Sequence, residues 1–307
     1  MVTADQPWTL KAALDWIVDF LADKGDATPR RSAEWIMSAV TNLSRLELYA
    51  YFDRPLTMEE RSALRTAVRE RAEGKPLQYV TGEMPFRRIV LKVESGIFVP
   101  RPETEILVEE ALEFLRLNGG DSPVVIDLCT GSGCVGCSVA HELPQASVFA
   151  VDISQDAVRV ARENATRLGL ADRVEVFLGD LTQPLPKSLE GRVDVILANP
   201  PYIPTLDLPH LPGEVREFEP ALALDGGSDG LVVARRIIAE SLSWLRPGGL
   251  LAMELDEGRV KEAICAMDKY YEESRIRSDL AGRDRIAVGF LRRDVDSKAG
   301  DERRRLS

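Results

Sequence analysis

From Pro123 onward this 307-residue chain alternates short apolar runs with helix-length amphipathic segments, and that rhythm narrows the possible folds to one class. The runs Val124–Cys129, Ser147–Asp152, Val174–Leu178, Val193–Ala198 and Leu250–Leu255 have the length and composition of strands. Helices are expected after the glycines at 131–133 to about Glu142, over Ser154–Leu168, over Leu231–Leu245 and over Arg259–Tyr270. Ser154 is the expected N-cap of the second of these, and Gly169 ends it. Parallel strands need a crossover between them, so this order dictates a mainly parallel α/β sheet covered on both faces. A last strand near Arg285–Leu291 follows the tight turn Ala281-Gly282-Arg283-Asp284 and should pair antiparallel with the strand before it.

The N-terminal part has a different period. Leu10, Leu14, Ile17, Val18 and Leu21 share a helical face, with Thr9 as N-cap and Gly25 as the stop. Further helices are expected over Ser32–Leu43, from Ser44, and from Thr57 to about Glu73, where Thr57-Met58-Glu59-Glu60 has capping-box form. The expected organisation is a helical bundle over 1–76, a linking hairpin over 77–100 and an α/β domain over 101–292. A polar tail over 293–307 ends in Arg303-Arg304-Arg305 and is expected to be disordered.

Composition removes several classes of function. There is no run of eighteen apolar residues, so no membrane span is expected. No signal peptide is visible at Met1-Val2-Thr3-Ala4-Asp5. Cys129, Cys134 and Cys137 crowd one segment with Cys265 far away, which is no disulfide framework and points to a reducing cytoplasm. A net charge of −11 argues against coating nucleic acid. The two histidines, His141 and His210, have no ligand-like spacing, so no metal is expected. A monomer is expected.

The segment Asp127-Leu128-Cys129-Thr130-Gly131-Ser132-Gly133 joins the first strand of the sheet to its helix, where such sheets bind ligands. Asp152 ends the next strand, a position suited to gripping two ribose hydroxyls, and Asp180 ends the third, near an adenine ring. Three carboxylates without a lysine suit a cationic nucleoside ligand that carries no phosphate. S-adenosylmethionine is one. Two other readings compete here. Gly131, Gly133 and Gly136 spell G-x-G-x-x-G, the dinucleotide fingerprint, although Gly136 also reads as a small residue packed on the sheet. Cys129, Cys134 and Cys137 match a ferredoxin-like spacing, although cysteines on a packed helix behave as small hydrophobes.

Asn199-Pro200-Pro201-Tyr202 follows the most apolar strand candidate. An amide nitrogen is a poor nucleophile because its lone pair is delocalised. The Asn199 side-chain oxygen and the Pro200 backbone carbonyl could accept its two hydrogens and point the lone pair at an electrophile. Proline stiffens the turn, and Tyr202 offers a flat wall with a polar tip.

Together with Ser44–Tyr49, Pro76–Gly82, Val99–Glu105, Phe218-Glu219-Pro220, Ala223–Gly227 and Asp279–Asp284, these residues resemble the HemK/PrmC-type family, the peptide chain release factor N5-glutamine methyltransferases. The resemblance covers nearly the whole chain. It implies a class I S-adenosylmethionine-dependent methyltransferase domain, a Rossmann-like seven-stranded sheet, behind a helical bundle that recognises substrate. Cys129, Thr130, Gly131, Ser132, Gly133, Asp152, Asp180 and Asn199 would hold S-adenosylmethionine. Asn199, Pro200, Pro201 and Tyr202 would hold a glutamine of a class 1 release factor. Asn-Pro-Pro-Tyr alone is shared with DNA adenine methyltransferases, and a related branch methylates a ribosomal protein; Arg101-Pro102-Glu103-Thr104-Glu105 favours the release-factor reading. Within that stretch Arg101, Glu103 and Glu105 either cap and pair charges or shape the substrate pocket. Glu254 reads as structural. The family commonly has glycine at Cys129, and a strand-like backbone there is expected to tolerate cysteine.

Overall fold

The computed structural model describes residues 8–293. The Arg-rich tail lies outside the described residues. The chain divides into two compact units, one running to Glu83 and including Pro212–Phe218, the other formed by Met84–Leu211 and Glu219 onward.

The first unit is helical: Leu10–Asp23, Pro29–Thr41, Arg45–Ala50, Met58–Ala72 and Leu77–Thr81. Thr9 caps the first helix through the Ala12 N–H, and Leu10, Leu14, Ile17 and Leu21 bury its apolar face. The second helix starts three residues before the expected Ser32, because Pro29 sits in its first turn, where the missing N–H costs nothing. Ser44 and Thr57 each close a full capping box, with Glu47 and Glu60. The fourth helix ends at Ala72, capped by Glu73 ahead of Gly74 at φ +92°, and a five-residue helix follows where the linking hairpin was expected to begin. Asp26 joins the ends of this bundle. Burial opposes its charge, but hydrogen bonds from Arg71, Thr28 and Ser32 outweigh that and hold the carboxyl below its ordinary value. Arg71 also donates to Glu214 at 3.1 Å, tying the 212–218 segment to the same unit.

Strands β1 (Glu83–Phe86) and β2 (Ile89–Lys92) make a hairpin. The main sheet has seven strands: β3 (Val124–Leu128), β4 (Ser147–Asp152), β5 (Val174–Leu178), β6 (Val193–Ala198), β7 (Leu245–Glu254), β8 (Tyr271–Ser278) and β9 (Asp284–Leu291). Their order is β5-β4-β3-β6-β7-β9-β8, parallel except for β9. Alternate residues feed two cores. Val125, Val195 and Leu197 pack against helices Thr104–Asn118 and Cys134–Glu142, and Ile126, Ile196 and Ala198 pack against Val232–Trp244 and Glu257–Met267. That is why β6 reads as an apolar run broken only by Asp194, which pairs with Arg246: all six of its residues are buried.

The sheet differs from the sequence reading at one edge. Strand β7 begins at Leu245 rather than Leu250, and its pairing with β6 is irregular between Val193 and Val195. Strand β8 was not among the apolar runs because it lies at the edge, paired to β9 alone, and most of its residues reach solvent. Strand β9 pairs antiparallel with both β7 and β8. No helix among the described residues is long and apolar enough to cross a membrane.

Candidate active site

Register places the chemistry. Leu128 of β3 lies opposite Ala198 of β6, and Ala198 opposite Met253 of β7. The next residues along these strands are Cys129, Asn199 and Glu254, so the three leave the sheet side by side at its carboxyl edge. On the other flank Leu128 faces Val151, which brings Asp152 to the same level. Since β3 has β4 on one side and β6 on the other, this is the point where the chain reverses its direction of winding, and a crevice opens there.

One crevice of the second unit is lined by Cys129, Thr130, Gly131, Ser132, Asp152, Asp180, Asn199, Pro201 and Tyr202, together with Ile97, Phe98 and Thr104. The structure therefore gathers most of the residues expected from sequence. Gly133 and Pro200 do not line it. Gly133 caps the following helix in the left-handed conformation, and Pro200 is buried.

Asp127 is the hidden support of the glycine loop. Its Oδ2 accepts the Thr130 hydroxyl at 2.5 Å and the Gly136 N–H at 2.9 Å. Burial pushes this carboxyl up to about 7, against the pull of those two donors. Gly136 leaves no room for a side chain, since a Cβ would stand 3.0 Å from Val148 and 3.1 Å from Asp127. The third glycine of the fingerprint thus packs helix on sheet. Gly131, with φ +57°, has open space beside it and lets a ligand approach the backbone. Asn164, which the sequence did not single out, fastens the loop from behind. It donates to the Ser132 carbonyl at 2.9 Å and exchanges two hydrogen bonds with the backbone of Lys92.

Asp152 accepts the Gly131 N–H on one oxygen at 2.8 Å and the Ser154 N–H on the other at 2.9 Å, while burial raises its pKa. Each oxygen keeps a lone pair for a diol. Asp180 is paired with Arg236 at 2.9 Å. The crevice therefore has no lysine but does carry one arginine, which the sequence reading missed because it lies in the middle of a helix more than fifty residues on. Apolar walls, three carboxylates and an open glycine suit a positively charged nucleoside, and the residues present fit S-adenosylmethionine.

Cys129 corrects one expectation. Its φ is +58°, in the left-handed region, and not strand-like. A side chain there costs about 1–2 kcal/mol relative to an ordinary conformation, which is the reason a glycine suits the position. Burial pushes the thiols of Cys129 and Cys134 well up and that of Cys137 to about 12, so all three stay neutral and pack as small side chains.

The Asn199–Tyr202 turn is held by a later segment. Ile203 pairs with Asp225, its N–H donating to Leu224 at 2.9 Å and its carbonyl accepting from Gly226 at 2.8 Å. Gly226 and Gly230 admit the turn's own carbonyls: a Cβ on them would meet the Pro201 oxygen at 2.7 Å and the Tyr202 oxygen at 2.3 Å. Asn199 donates Nδ2 to Thr104 Oγ1 at 3.2 Å, and its Oδ1 makes no hydrogen bond among the described residues. Burial raises the pKa of the Glu254 carboxyl to about 7, against the pull of the Thr104 hydroxyl. Burial pushes the Tyr202 hydroxyl to about 12, so it stays protonated.

Arg101, Glu103 and Glu105 do not line the crevice; the first two form charge pairs and the third accepts a backbone N–H. Arg101 binds Glu219 at 2.5 Å and stacks on Phe98, Glu103 binds Arg283 at 2.8 Å, and Glu105 accepts the Arg87 N–H at 3.1 Å. The residue of that stretch that lines the crevice is Thr104.

This strand order, with a glycine loop after β3 and an acid ending β4, defines a class I S-adenosylmethionine-dependent methyltransferase. The fold is that of the hMettl16 catalytic domain, crystallised in complex with MAT2A 3'UTR hairpin 6, at a TM-score of 0.52, 16% identity and coverage of 77% of this chain and 82% of that one. Residues 12–82 match the PrmC N-terminal domain and residues 103–208 the methyltransferase small domain. The release factor glutamine methyltransferase of Geobacter sulfurreducens is 42% identical over 264 residues, 86% of this chain and 90% of its own. That of Moorella thermoacetica is 42% identical over 288 residues, 93% and 100% of the two chains. The chain belongs to the release factor glutamine methyltransferase family.

The left-handed backbone at residue 129 has a measurable consequence. Cys129→Gly is expected to hold or raise the unfolding midpoint, whereas Cys129→Val, β-branched at positive φ, should lower stability by about 1–3 kcal/mol. Denaturant melts of the two variants check this, and equal stability would contradict the assigned conformation.

Proposed function

We propose that this chain methylates the side-chain amide nitrogen of a glutamine in class 1 peptide chain release factors, with S-adenosylmethionine as the methyl donor. The observation that carries the reading is the Asn199 carboxamide. It stands in the same crevice as the glycine loop and Asp152, with Nδ2 engaged by Thr104 and Oδ1 left unbonded.

Gly131, Ser132, Asp152 and Asp180 are the residues that would hold the donor, with Cys129 and Thr130 shaping the loop beneath it. S-adenosylmethionine supplies a methyl group made electrophilic by its sulfonium. Asn199 Oδ1 and the Pro200 carbonyl accept the two hydrogens of the substrate amide. That grip fixes the nitrogen and favours its pyramidal form, so the lone pair faces the methyl group. Tyr202 packs against the amide. No strong base is needed before attack, because an N-methylated amide cation is acidic and loses its proton readily. Catalysis is then mainly positioning and exclusion of water.

The helical unit supplies a second contact that selects a whole release factor over free glutamine. Leu46, Tyr51 and Phe52 are exposed there and would supply apolar contacts to a partner. The protein acts as a monomer in the cytoplasm, without direct nucleic-acid contact.

Incubation with labelled S-adenosylmethionine and a purified release factor, followed by mass spectrometry, should place one methyl group on a glutamine side chain. Label elsewhere, or none, would refute the reading. Asn199→Ala should cut turnover on the order of a hundredfold with donor affinity little changed. Asp152→Ala should instead weaken donor binding about tenfold or more, read by calorimetry.

A further inference from the structure

We propose that Arg101 is a positioning residue for the reaction, and that its pairing with Glu219 holds one wall of the crevice beside the Asn199–Tyr202 turn; this rests on the amide-binding role given to that turn above. Arg101 and Glu219 stand 118 positions apart in the chain, and neither lines the crevice. Their neighbours do. Phe98 lines it near Arg101, and Pro220, Leu222 and Ala223 line it just after Glu219. The guanidinium joins the two segments. It stacks on the Phe98 ring, 5.0 Å from its centre, and donates to Glu219 Oε1 at 2.5 Å.

The limb that returns to the crevice is short and pinned at both ends. Arg101 holds Glu219, and Asp225 pairs with Ile203, the residue after Tyr202. Between them Pro220, at φ −70°, leads into a single helical turn over Ala221–Ala223, so the direction of the wall follows from where Glu219 is held. Leu222 lines the crevice yet is 56% exposed, which places it at the rim. Held there, the wall confines the glutamine stem beside Asn199 and Tyr202 and keeps water from the amide.

Burial makes the two partners unequal. The Glu219 side chain is 1% exposed and that of Arg101 33%. A carboxylate buried to that degree and deprived of its arginine is strongly unfavourable, and relief comes by moving toward water. Pro220 is bonded directly to Glu219, so the wall moves with it. Neutralising Glu219 leaves no such charge behind, because the guanidinium still reaches solvent.

The test is a cycle of Arg101→Met, Glu219→Gln and the double variant, read by turnover on a purified release factor and by donor affinity in calorimetry. Arg101→Met should cut turnover about tenfold or more with donor affinity little changed. Glu219→Gln keeps the shape, still accepts from Arg101 and should retain most turnover. The double variant should recover most of what Arg101→Met loses, because no buried charge is left unpaired. Arg101→Lys, which keeps a cation, should retain more turnover than Arg101→Met. A merely structural pair would lower turnover and donor binding in proportion, and an arginine that touches the substrate itself would leave the double variant as impaired as Arg101→Met. Either result, or unchanged turnover in Arg101→Met, overturns the proposal. If Arg101→Met does not fold, Leu222→Ala truncates the wall at an exposed position; turnover should fall severalfold with donor affinity unchanged, and full turnover overturns the proposal. Absence of glutamine methylation by the unaltered enzyme would instead overturn the amide-binding reading beneath it.

Discussion

The parallel pairing of β3 with β6, in the register Leu128 against Ala198, is the constraint from which the site follows. Parallel strands end level with one another, so the glycine loop and the Asn199–Tyr202 turn emerge together at one edge. A shift of one residue would turn the side chains of β6 over, placing Leu197 where Ala198 belongs and aiming Asn199 into a helix layer. Because β6 is buried on both faces, its apolar side chains resist that shift. Hydrophobic packing well below the crevice thus sets the spacing between methyl donor and acceptor.

Buried acids organise the edge. Asp127 holds the loop, Asp152 bridges it to the next helix, and Glu254 ends β7 fully buried. Asp127 and Glu254 are fully buried and Asp152 partly so, and burial raises the pKa of all three. Two of them aim their oxygens at backbone N–H groups of the loop or the helix after it. A site built this way is stiff before any ligand arrives, which suits a reaction whose main demand is alignment.

The α/β sheet was legible because its central strands are nearly continuous apolar runs with helices between them. Strand β8 was hidden for the opposite reason: an edge strand that faces solvent needs polar residues, and its Glu272, Glu273 and Arg275 resemble a loop. In the crevice, the residues proposed to carry chemistry stood out by type and place, as Asn199 and Asp152 did. Those that act from a distance in sequence did not. Asn164 and Arg236 sit inside helices, where a polar residue is usually just a solvated face, and only the tertiary packing shows what each one touches. The backbone at Cys129 was misread because φ is a property of the turn, and the side chain standing there gave no sign of it.

The pairing of Ile203 with Asp225 works as a clasp at the root of a chain excursion. A long excursion adds little entropy cost once its base is pinned, because closure cost grows only with the logarithm of length. The return limb is not idle, however: Pro220, Leu222 and Ala223 line the crevice and Glu219 pairs with Arg101, so the clasp also seats one wall of the site.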